Sequence, residues 1–67
     1  MIKPLWIIYF DYVQMYGDSV RSNEIYVPGF DIGEAYQNGT RAVASFNYVG
    51  VTILRVERTL MQVWLEE

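Results

Sequence analysis

Cysteine and histidine are both absent from this chain of 67 residues. Without them there is no disulfide, no thiolate–imidazole zinc site and no thiol redox chemistry. Basic charge is also scarce: five Lys and Arg face eight Asp and Glu, for a net charge of −3. That disfavours a nucleic-acid or anionic-membrane partner, whose binding rests on basic side chains. It is also too mild for a nucleic-acid mimic. Long hydrophobic runs are missing as well. The longest, Leu5 to Phe10, is far short of the ~20 residues that span a bilayer. Lys3 begins something like the basic start of a signal peptide, but Pro4, Asp11 and the lack of a small-residue cleavage site argue against one. The expectation is a cytoplasmic protein with no membrane partner.

Aromatic residues are plentiful: six Tyr, three Phe and two Trp, in a chain that is 52% apolar. Such a composition is too rich for disorder. Tyr and Trp also suit interfaces, having an apolar body and a polar tip. The length allows one domain, residues 1–67, with one core. A domain this small buries only about 60% of the surface its unfolded chain exposes. Disulfides and thiolate–imidazole zinc being excluded, self-association or unusually good packing must supply the missing stability.

Leu5 to Met15 is dense in β-branched and aromatic residues and reads as a strand. Its odd row (Leu5, Ile7, Tyr9, Val13, Met15) and its even row (Trp6, Ile8, Phe10, Tyr12) are both apolar, as in a strand covered on both faces. Tyr16-Gly17-Asp18-Ser19 carries turn chemistry, and Val20 to Val27 returns as a more polar strand suited to a sheet edge.

Pro28-Gly29 ends that strand. Asp31 then stands as a helix N-cap, with Glu34 completing a capping box and Phe30 and Ala35 placed for a hydrophobic staple. Ile32, Ala35, Tyr36, Gly39, Ala42, Val43 and Phe46 recur at the spacing of one helix face. Asn38-Gly39 weakens this helix and predicts fraying or a bend there, and the helix should end near Asn47.

Val51 to Leu65 contains no Gly, Pro, Asn or Asp. It predicts one long strand, or two segments joined by a bulge near Arg58-Thr59, longer than anything it can pair with inside the chain. The fold class is therefore α+β, of order β-β-α-β, a small antiparallel sheet with the first strand central and one helix packed on one face. One helix covers one face only. The other would leave an apolar row in water, which marks an interface.

Three segments carry a resemblance: Glu24-Ile25-Tyr26-Val27-Pro28, the helix opening Gly33-Glu34-Ala35, and Gly50-Val51-Thr52-Ile53-Leu54-Arg55-Val56-Glu57. Their pattern over residues 20–58 is similar to that of small phage early proteins. The family it most resembles is the small RNA polymerase inhibitor of podophages. The resemblance implies a phage-type, non-enzymatic inhibitor that occludes a host protein, a polymerase or a nuclease defence complex, in the host cytoplasm. The segment from helix opening to final strand is longer here, and neither the aromatic first strand nor Met61–Leu65 has a counterpart in that pattern.

Catalysis finds little purchase. No histidine stands near a nucleophile, and Ser19, Ser22 and Ser45 have no base to activate them. Asp11 interrupts an apolar strand, either as a charge aimed at a partner or, more plainly, as a strand residue reaching solvent. Asp18, Asp31 and Glu34 are explained by turn and cap chemistry. Gly29-Phe30-Asp31-Ile32-Gly33 lacks the third glycine of a dinucleotide fingerprint, and Asn38-Gly39-Thr40 is a glycosylation sequon inside a predicted helix. No cofactor is expected.

The aromatic face flanked by Arg55 and Arg58 could stack single-stranded bases, but the shortage of basic charge favours a protein interface. The leading expectation is a protein-binding module, whose contact residues would be Trp6, Phe10, Tyr12, Arg55, Arg58 and Trp64. A charge at Phe10 should then abolish binding and leave the fold intact. If the odd row instead faces away from the helix, the contact row switches to Leu5, Ile7, Tyr9, Val13 and Met15. The alternative is a self-assembling structural protein, a homodimer through the sheet edge or the exposed sheet face. A nucleic-acid binder comes third.

Overall fold

The computed structural model describes residues 1–14, 17 and 19–66. Strand β1 (Ile2–Gln14) leads to β2 (Arg21–Pro28), then helix α1 (Ile32–Ala44) and strand β3 (Tyr48–Trp64). The sheet order is β2-β1-β3, antiparallel throughout, so the most apolar strand is central, as expected. Of the expected turn and odd row, Met15, Tyr16 and Asp18 lie outside the described residues.

The helix begins where its capping signals stand. Asp31 Oδ1 accepts the Glu34 backbone N–H at 2.8 Å, and Glu34 Oε1 accepts the N–H of Phe30, one residue before the cap, at 2.8 Å. One of the donors that a helix start leaves without partners is thereby satisfied, together with the backbone N–H of the residue that precedes the cap. Phe30 itself stays exposed, with the Lys3 ammonium 4.6 Å above its ring. The helix is continuous through Asn38-Gly39 and is capped at Ser45, two residues before the expected end. Asn38 is not a weak point: its side chain donates to the Pro28 carbonyl at 2.7 Å and ties the helix to the end of β2.

Glu34 Oε1 also receives the Lys3 ammonium at 2.9 Å, joining the start of β1 to the helix. The Lys3 hydrogen bond first, and the Phe30 N–H second, hold the Glu34 carboxyl below the ordinary carboxylate range. A depressed pKa stabilises the fold in full above the ordinary value, and that contribution is lost as pH falls through the folded value. Thermal melts from neutral to acid pH should therefore show the wild type ahead of Glu34→Gln at neutral pH and the two converging in acid. The gap is small, because the pair meets solvent. Parallel curves would rule the linkage out.

The helix buries a narrower stripe than its spacing suggests. Ala35, Gly39 and Val43 are buried and Ala42 is half-buried, while Ile32, Tyr36 and Phe46 remain exposed. The cause is the small side chains. At Gly39 a Cβ would stand 2.7 Å from Cγ1 of Ile8, so the helix lies almost directly on β1. At Gly29 a Cβ would come within 2.8 Å of the Ala35 backbone nitrogen, which keeps the turn into the helix equally tight. At that spacing the large residues on the margins of the stripe overhang the sheet instead of inserting between helix and strand.

β3 does find a partner for its whole length, against expectation. Tyr48 pairs with Gln14 at one end of β1 and Trp64 with Ile2 at the other, although β3 has 17 residues and β1 has 13. Three register irregularities absorb the difference. One spans Thr59 to Met61, close to the predicted bulge. There Thr59 Oγ1 donates to the Leu5 carbonyl at 2.7 Å and accepts the Met61 N–H at 3.0 Å, replacing the interrupted ladder. A second falls at Leu54 and lets Ile53 and Val56, of opposite parity, both pack against the core. The third contains Gly50, whose φ of 70° lies in the left-handed region that glycine accepts without a Cβ penalty.

Candidate protein-binding surface

The even row of β1 lies under the helix. Trp6, Ile8, Phe10 and Tyr12 form the core with Val27, Ala35 and Val43, and Phe10 is fully buried. Trp6 Nε1 donates to the Gly29 carbonyl at 2.8 Å, satisfying the one polar atom of that ring. Tyr12 stacks on Tyr48 with ring centroids 3.9 Å apart. Trp6, Phe10 and Tyr12 therefore cannot touch a partner in the folded protein, and the expectation that Phe10 tolerates a charge is overturned by its burial.

The contact row switches to the odd side chains, as it must when the even row is sealed. Leu5, Ile7, Tyr9 and Val13 line the open face, yet none is bare; all are half-buried. Neighbouring strands cover them in part. Tyr26 stands across from Ile7 on one side and Glu57 on the other, while Glu24 and Arg55 flank Tyr9. The Arg55 guanidinium lies 4.4 Å above the Tyr9 ring and pairs with Glu57 at 3.1 Å. Ser22 donates to Asp11 at 2.6 Å, at the surface of the sheet. The open face is thus an amphipathic lattice and not the continuous apolar row that the sequence suggests.

The barest apolar surface is elsewhere. β2 ends opposite Leu5, so beyond that point β1 and β3 continue as a two-stranded ribbon. Its last rung is closed by Met1 and Leu65, whose backbones exchange hydrogen bonds of 3.2 and 2.8 Å. Met1, Ile2, Met61 and Trp64 are exposed on this ribbon, and Leu60 at its base is entirely bare. Met1, Trp64, Leu65 and Glu66 line a shallow depression at the tip.

Of the six expected contact residues, only Trp64 belongs to the ribbon. Arg55 is on the open face, and Arg58, across from Trp6, is exposed on the helix side. The six do not converge. Ile2, Leu60 and Met61 were missed, although the break in alternation after Thr59 and the length of β3 were signals for them.

Among the described residues no group of His, Cys, Asp or Glu could hold a metal ion, and every fully buried side-chain polar atom has a hydrogen-bond partner. Among the described residues no helix is long and apolar enough to cross a membrane. The chain matches no protein-family model, no curated protein and no solved structure.

Proposed function

We propose that this chain is a non-enzymatic protein-binding module that acts by occluding a partner protein in the cytoplasm, as the phage inhibitors it resembles do. The observation that carries the reading is the ribbon of Met1, Ile2, Leu60, Met61 and Trp64, exposed beyond the cover of both β2 and the helix. Large apolar side chains gathered in water cost solubility, and a cluster of them marks a contact surface. Trp and Met are also the residue types enriched in protein contacts. A stacking platform for single-stranded bases loses its support, because Trp6, Phe10 and Tyr12 are sealed in the core.

The test is a paired capture experiment from host lysate. Leu60→Lys with Trp64→Lys should lose the proteins that the wild type retains, and its melting temperature should change little, since both sites are exposed. Retention of the same proteins by both forms would contradict the reading.

A further inference from the structure

Independently of the ribbon, we infer that the chain forms a symmetric dimer by pairing the outer edges of β3 antiparallel about a two-fold axis through Val56. β3 is an edge strand whose outer backbone has no strand partner among the described residues, and such an edge is a template for another strand. Val56 is the midpoint of that strand, which runs from Tyr48 to Trp64. On either side of it lies the regular stretch Arg55 to Arg58, in step with β1 from Tyr9 to Trp6 and free of register irregularity.

The charges select the partner and the register. Arg55 and Glu57 flank Val56, lie on the open face across from Tyr9 and Ile7, and keep side-chain exposures of 60% and 45%. With the axis through Val56, Arg55 of one copy stands opposite Glu57 of the other, and the reverse pair forms by symmetry. A shift of the axis by one residue, to Arg55 or to Glu57, would instead set that residue against its own copy, like charge against like. Opposite charges directly across a strand pair stabilise it and like charges oppose it. The strand is thus complementary in charge to itself in one register.

The helix side of the seam agrees. A groove of about 310 Å³ runs along the β3 flank of the helix, lined by Tyr36, Thr40, Val43, Ala44, Val51 and Ile53. An axis perpendicular to the sheet puts both helices on one face, and the two grooves then face each other over the new six-stranded sheet. The open face stays free, so dimerisation leaves that surface available to another protein.

Sedimentation equilibrium over a dilution series tests this. The wild type should show the mass of a dimer. Arg55→Glu or Glu57→Arg, each alone, should raise the dissociation constant by about tenfold or more, because both symmetric pairs become repulsive. Mixed one to one, the two variants should return to the dimer mass, since each then faces its opposite charge; no pairing within a chain can produce that recovery. A wild type that is monomeric at every concentration, or a mixture that associates no better than its components, would overturn the proposal. Should circular dichroism show that either reversal disturbs the fold, Arg55→Gln and Glu57→Gln replace them. Each should then weaken the dimer, and unchanged association would overturn the proposal equally.

Discussion

Phe10→Asp is expected to unfold the protein. Phe10 has no exposed surface and lies at the centre of the core, its ring 5.8 Å from that of Tyr12 and 6.1 Å from that of Tyr48. Truncating a buried Phe costs about 3–5 kcal/mol. An aspartate there adds several kcal/mol, because it puts a charge among the buried apolar side chains of the core. Native domains hold only about 5–15 kcal/mol in total, and one of 67 residues sits toward the lower end. Circular dichroism and urea titration at neutral pH should show loss of the cooperative transition, while Phe10→Leu keeps it at a reduced midpoint. A folded Phe10→Asp would mean that the even row of β1 is not the covered one.

Gly39→Ala should destabilise the fold although it improves the helix. In an exposed helix the exchange stabilises by about 1 kcal/mol. Here the added methyl meets Cγ1 of Ile8 at 2.7 Å and Cδ1 at 3.0 Å. Ile8 is itself buried and cannot swing aside, so the helix must lift from β1 or the strand must yield. Overpacking of this kind costs about 1–3 kcal/mol, and the net change in urea midpoint should be downward. The cause is checked by a double-mutant cycle with Ile8→Ala, which removes the obstructing atoms. The two costs should combine to less than their sum. Full additivity, or a higher midpoint for Gly39→Ala, would show that the close approach is not what the glycine serves.

Local signals in the sequence read well because their physics is local. Asp31 and Glu34 fix the start of the helix by hydrogen bonds within five residues, and Pro28-Gly29 ends the strand before it. The order β-β-α-β and the central place of β1 followed from strand length and apolar content. The covered face did not follow. Both rows of β1 are apolar, so alternation carries no sign there, and only the tertiary position of the helix decides it.

The helix face was drawn too wide for a related reason. Spacing finds Ile32, Tyr36 and Phe46 on the stripe, but the depth of insertion is set by the smallest residues at the contact, Ala35 and Gly39. The excess length of β3 was visible, and Arg58-Thr59 marked one of the places where it is absorbed, while Gly50 reads only as the break before the strand and not as part of it. Leu54 carries no bulge signal of its own; the irregularity there arises because Ile53 and Val56 must both reach the core. The ribbon surface was half legible, through Trp64, and the rest depended on knowing where β2 stops.

Acrylamide quenching of the two tryptophans separately, on dilute protein, tests the division into a sealed row and a bare ribbon most directly. Trp6→Phe leaves Trp64, and Trp64→Phe leaves Trp6, which is 8% exposed against 65% for Trp64. The emission of Trp64 should be quenched strongly and that of Trp6 weakly. Strong quenching of Trp6 would contradict the covered even row, and protection of Trp64 would contradict the exposed ribbon on which the proposed binding rests.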